Sequence, residues 1–108
     1  MRKVIVFEKN QRNDNQLQFR LQNALFNYGY LWASDVKKKE KKYRYYSATA
    51  YILYEEIKSI SYYSYIDGIP YKNEIEYLRE KFGKENMILV KDYLNNYKFY
   101  NASCMDTE

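Results

Sequence analysis

Two clusters in this 108-residue chain carry side chains able to do chemistry. The first is Lys37, Lys38, Lys39, Lys41, Lys42 and Arg44, with only Glu40 against them. Cations at that density suit phosphate groups. Tyr43, Tyr45 and Tyr46 are interleaved with the end of the run, and aromatic rings beside cations can stack on bases. The second cluster is Tyr51, Tyr54, Tyr62, Tyr63 and Tyr65. Tyrosine offers a large contact area with few torsions to freeze, which suits an interface. The candidate partner-binding residues are therefore Lys37, Lys38, Lys39, Lys41, Lys42, Tyr43, Arg44, Tyr45, Tyr62, Tyr63 and Tyr65.

Catalysis finds little to work with. There is no histidine, and the single cysteine, Cys104, stands in a polar tail. An imidazole base, a Cys/His zinc site and an intramolecular disulfide are all excluded. Glu55, Glu56, Glu74, Glu76 and Glu80 could act as acid–base or metal groups. Glu76 and Glu80 share a helical face, however, and Glu80 lies four residues before Lys84, the pattern of a solvated ion-pair face. None of the three glycines forms a phosphate-cradling loop. The expectation is a non-enzyme with no cofactor and no metal.

The charge is local. The chain carries +4 overall, yet residues 45–108 hold seven basic and ten acidic groups. Without residues 37–44 the protein would be slightly acidic. No run approaches the roughly 20 apolar residues of a membrane span. The apolar run after Arg2-Lys3 stops at Glu8, too short for a signal peptide. A cytoplasmic protein is expected.

The elements that must position these clusters are legible as periodicities. Val4 to Phe7 reads as a buried strand. Leu17, Leu21, Ala24, Leu25 and Tyr28 share one face of a helix, with Asn13 and Gln16 as a capping box and Gly29 ending it. Tyr43 to Tyr54 and Ser59 to Ile66 read as an antiparallel hairpin turning at Glu55 to Lys58. Thr49, Tyr51 and Leu53 should point one way there, and Ala50 and Ile52 the other. Asn73 should cap a second helix carrying Ile75, Leu78 and Phe82, stopped by Gly83. Met87 to Val90 reads as a last strand, and Asp92 to Tyr97 as one or two helical turns. Residues 1–100 should form a single domain, and 101–108 a disordered tail.

Two helices and four strands in the order β-α-β-β-α-β match a ferredoxin-like α+β plan. That plan has an antiparallel sheet with both helices on one face. An RNA-recognition domain of this plan would need a basic-Gly-aromatic phrase, and Lys58 to Tyr65 lacks the glycine. The small CRISPR-adaptation nucleases end their first strand in aspartate, where this chain has Phe7-Glu8.

One set of phrases is familiar. A helix closes with Leu25-Phe26-Asn27-Tyr28-Gly29-Tyr30-Leu31-Trp32, a hairpin strand reads Ile60-Ser61-Tyr62-Tyr63-Ser64, and Ile88-Leu89-Val90-Lys91-Asp92-Tyr93-Leu94 follows. Together these resemble a loose class of small, uncharacterised bacteriophage proteins similar in style to anti-defence, anti-CRISPR-like factors. The lysine insertion at 37–42 and the helix from Tyr71 to Phe82 depart from that pattern. The resemblance implies an inhibitor that binds a host defence protein or ribonucleoprotein in the host cytoplasm. The alternative is a nucleic-acid or nucleotide binder using loop 37–44 and the tyrosine-rich hairpin. An exposed hairpin edge also leaves room for a homodimer.

Overall fold

Val4, Ile5 and Val6 lie in strand β1 (Arg2–Val6), and all three are buried. The computed structural model describes residues 2–96. The tail at 101–108, Cys104 and the last expected helical residue, Tyr97, lie outside the described residues.

Helix α1 (Asn15–Asn27) forms where the apolar stripe predicts it. Its cap is Asp14, whose carboxylate accepts from Leu17 N at 3.0 Å, not Asn13. Aspartate satisfies one of the unpaired amides of the first turn. Gly29 follows the helix with φ of 90°, a conformation open to glycine at no steric cost. Strand β2 (Leu31–Trp32) is only two residues long. Strands β3 (Ala48–Tyr54) and β4 (Ser59–Ser64) form the expected antiparallel hairpin. Residues 43–47 do not join it. Helix α2 (Tyr71–Phe82) starts directly after Pro70, two residues before Asn73. Strand β5 (Met87–Leu89) follows, and residues 90–96 form helix α3, so Val90 opens a helix instead of closing a strand.

The fold is α+β, but the sheet is mixed and its order is not the ferredoxin-like one. The strands lie in the order β2-β4-β3-β1-β5. β3 pairs antiparallel with both β1 and β4, whereas β1–β5 and β2–β4 are parallel. Four strands therefore share one direction and β3 alone opposes them.

The two main helices cover opposite faces, not one. α1 packs with Ile5, Phe7, Tyr51, Leu53 and Ile60 in the larger core. α2 places Leu78 against Val4, Val6 and Ala50 on the other side. The reason is chirality. The crossovers β1-α1-β2 and β4-α2-β5 start from strands of the same direction and travel opposite ways across the sheet. Right-handed crossovers then have to use opposite faces.

A bulge modifies the hairpin. Ala48 pairs with Ser64 and Ala50 with Tyr63, so Thr49 is an extra residue. Tyr51 and Leu53 do point together as expected, but the bulge swings Thr49 to the α2 side, where its hydroxyl donates to Glu74 Oε2 at 3.1 Å.

Candidate functional site

The basic loop is anchored from within. Asp35, at the end of a short 3-10 turn (Ala33–Asp35), is buried, and Arg44 grips it with two hydrogen bonds of 3.2 and 2.8 Å. The Arg44 hydrogen bond holds the Asp35 carboxyl below its usual range, against the opposing effect of burial. The nearby charges of Lys42 and Lys38 act in the same direction as Arg44. Arg44 is thus a clamp for the loop and not a free contact group.

Beyond the clamp the chain runs extended without joining the sheet. Two glutamines explain this. Gln22 Oε1 accepts from Arg44 N at 2.8 Å, and its Nε2 donates to Arg44 O. Gln18 does the same for residue 46, with bonds of 3.2 and 2.7 Å. Each side-chain amide stands where a neighbouring strand's peptide would, at alternate residues. Gln22 also accepts from Trp32 Nε1 at 2.9 Å, and Tyr51 joins both glutamines. Gln18 and Gln22 are fully buried, and the bonds offset the cost of burying them. The sequence reading missed them. Their signal was polar residues at i and i+4 beside the Leu21/Leu25 stripe.

With its base held, the loop presents Lys37, Lys38, Lys39, Lys41 and Lys42, all exposed. Lys39 turns the chain with φ of 57°. Tyr43 stacks on Phe19 of α1, with centroids 4.6 Å apart, and meets Phe26 edge-on. Its hydroxyl donates to Asn23 at 3.1 Å. Tyr45 is 48% exposed and Phe19 43%. They flank a shallow depression of about 440 Å³ also lined by Asn15, Gln16 and Arg20. Phe19, off the Leu17/Leu21/Ala24/Leu25 stripe of α1, belongs to this surface.

The hairpin tyrosines do not form one face. Tyr62 stacks on Tyr46 at 3.9 Å and nearly parallel, beside Trp32 on the α1 side. Tyr63 packs with the α2 core and stacks on Tyr77. Tyr65 lies under the Arg12 guanidinium at 4.2 Å and accepts from Asn13. That arginine bonds Glu74 at 2.8 Å, and the Glu74 side chain is 1% exposed. Glu74 is therefore a structural anchor of α2 to the sheet. Tyr71 donates to Phe7 O at 2.6 Å, and burial pushes its hydroxyl pKa up. The structure brings Tyr43 and Tyr45 beside the lysines and separates Tyr62, Tyr63 and Tyr65 between two sides of the sheet.

Among the described residues no group of three or more His, Cys, Asp or Glu side chains could hold a metal ion. No helix among them is long and apolar enough to cross a membrane. No protein-family model, no curated protein and no solved structure matches this chain.

Proposed function

We propose that the protein works by binding, as a phage-type inhibitor of a host defence protein, acting in the host cytoplasm. The working surface is the lysine loop with the exposed aromatic shelf of Phe19, Tyr43 and Tyr45. One observation carries this reading. Five lysines are exposed while Arg44, the sixth cation of the run, is paired with the buried Asp35 at their base. A loop clamped at its base and charged at its tip favours a partner with an acidic surface. The test is co-purification of the tagged protein from lysates of hosts carrying defined defence systems. A stoichiometric defence protein that is recovered by the wild type, lost after neutralising the five lysines and inhibited in its activity is the expected result. Recovery of none across those systems overturns it.

The same surface supports a second reading, direct nucleic-acid binding, because exposed rings beside cations suit stacked bases. Titrating a nucleic acid into the purified chain at several salt concentrations separates the two. Five phosphate contacts give a slope of log affinity against log salt of about −3 to −5. The β4 edge beyond Ile60 suits a homodimer contact, since β2 pairs only with Ser59 and Ile60 of that strand. Sedimentation of the purified chain decides that point.

A further inference from the structure

A second concavity shares no residue with the lysine loop or the aromatic shelf. It lies at the end of the sheet where β1 enters and β3 leaves, and encloses about 630 Å³. Small-molecule sites are commonly about 300–1,000 Å³. Leu53 and Ile88, both packed with the larger core, supply apolar lining. Tyr30 adds a buried ring, with Lys58 Nζ 4.7 Å from its centroid. Lys3 and Lys58 line the cleft and are exposed.

Glu55 enters this cleft from the β3–β4 turn. Its Oε1 is buried and accepts no hydrogen bond. No ion pair among the described residues involves it. A buried carboxylate oxygen without a donor is costly, by more than a neutral group would be. The charge is felt nearby: the Tyr30 hydroxyl pKa is raised by burial and, second, by Glu55. The terminal torsion of a glutamate side chain is broad, so turning the carboxylate toward the cleft costs little. A donor placed there gains a charge-assisted hydrogen bond that the fold leaves unmade.

We propose that this cleft binds a small organic amine, its apolar body against Leu53 and Ile88 and its ammonium donating to Glu55. Glu55 is half-buried with its Oε1 enclosed, whereas Lys3, Lys58 and the second lining carboxylate, Glu85, are exposed. The inner end of the ligand is therefore the donor, and its outer end can carry an acceptor for Lys3 or Lys58.

Phenethylamine and 3-phenylpropanoate test this on the full chain, having one ring and opposite charges. Amide NMR titration should show saturable shifts at Tyr30, Leu53 and Ile88 with the amine. The carboxylate should bind about tenfold or more weakly, and Glu55→Gln should cost the amine a similar factor, the loss of one charge-assisted bond. Equal binding of the two probes overturns the proposal. So does unchanged amine affinity in Glu55→Gln, an absence of shifts at those amides, or shifts confined to Phe19 and Tyr45. If Glu55→Gln folds poorly, the comparison of probes on the wild type decides alone.

Discussion

The hydroxyl of Tyr51 donates a 2.7 Å hydrogen bond to Oε1 of Gln18, and neither residue is exposed to solvent. The same hydroxyl accepts from Gln22 Nε2 at 3.0 Å. One phenol thus ties the central strand to two positions of α1. It also fixes the amides that hold residues 44 and 46. The lysine loop is positioned by this buried network and by the Asp35–Arg44 pair, and both lie beneath the surface they serve.

Tyr51→Phe should lower stability by about 1–3 kcal/mol, because two buried amides lose a partner while the ring packing stays. Gln22→Leu should cost more, since Trp32 Nε1 and the backbone N–H and C=O of Arg44 all lose their partner. Urea unfolding measures both. An unchanged midpoint in Gln22→Leu would contradict the clasp.

Alkaline stability follows from the same residue. Burial raises the Tyr51 hydroxyl well above the ordinary 10.0, and only the Gln22 bond opposes it. Tyr30, Tyr63 and Tyr71 are raised as well, each chiefly by burial. The unfolded chain releases these protons first. Their contribution is complete below about pH 10 and is lost as pH rises through the folded values. Ultraviolet titration should show a class of tyrosines that ionises only with unfolding, and Tyr51→Phe should shrink it.

Acid should act on the loop. Arg44 holds the Asp35 carboxyl below its ordinary 3.8, so the pair stabilises above that value and its contribution fades as pH falls through the lowered one. Asp35→Asn should lower stability near neutral pH and flatten the acid limb of the profile. Amide exchange at residues 36–44 should quicken in that variant. A profile identical to the wild type would mean that the pair does not hold the loop.

Glu74→Ala should loosen α2, because Arg12 and Thr49 both lose their acceptor. The expected cost is about 2–4 kcal/mol, nearer the upper figure if the half-buried Arg12 stays in place. Hydrogen exchange should quicken in Tyr71–Phe82 more than in Asn15–Asn27. Thr49→Val should show the same pattern at a smaller cost, about 1 kcal/mol.

Replacing Lys37, Lys38, Lys39, Lys41 and Lys42 by serine should leave stability within about 0.5 kcal/mol, since exposed side chains away from packing rarely matter. Partner binding should be abolished by the same change. Arg44→Gln should behave differently, lowering stability as well as binding. If both variants fold equally well, the division of labour between clamp and tip is wrong.

The strength of local patterning decides what was legible. The α1 stripe, the α2 stripe and the β3–β4 hairpin all carry long periodicities, and all three elements form, although β3 begins at Ala48 and not at Tyr43. The lysine run was visible as charge alone, and its exposure follows because like charges do not pack together. Asp14 in place of Asn13 as the cap is a shift of one residue, within the reach of neighbouring polar side chains.

Other features depend on partners distant in the chain. Gln18 and Gln22 become core residues only because residues 44 and 46 cross α1 at two helical turns. Thr49 turns toward Glu74 through a bulge that strand alternation does not encode. Strand alternation alone parts Tyr62 from Tyr63, but their stacking partners, Tyr46 and Tyr77, come from distant segments. β2 and β5 span two and three residues, too few for their pattern to reveal direction or neighbour. Periodicity along the chain determined which segments are helix and strand, since burial of one face repeats every few residues. The direction of those two short strands was settled only in the folded sheet, by hydrogen bonds to β4 and β1. That direction, through the handedness of the crossovers, put α1 and α2 on opposite faces.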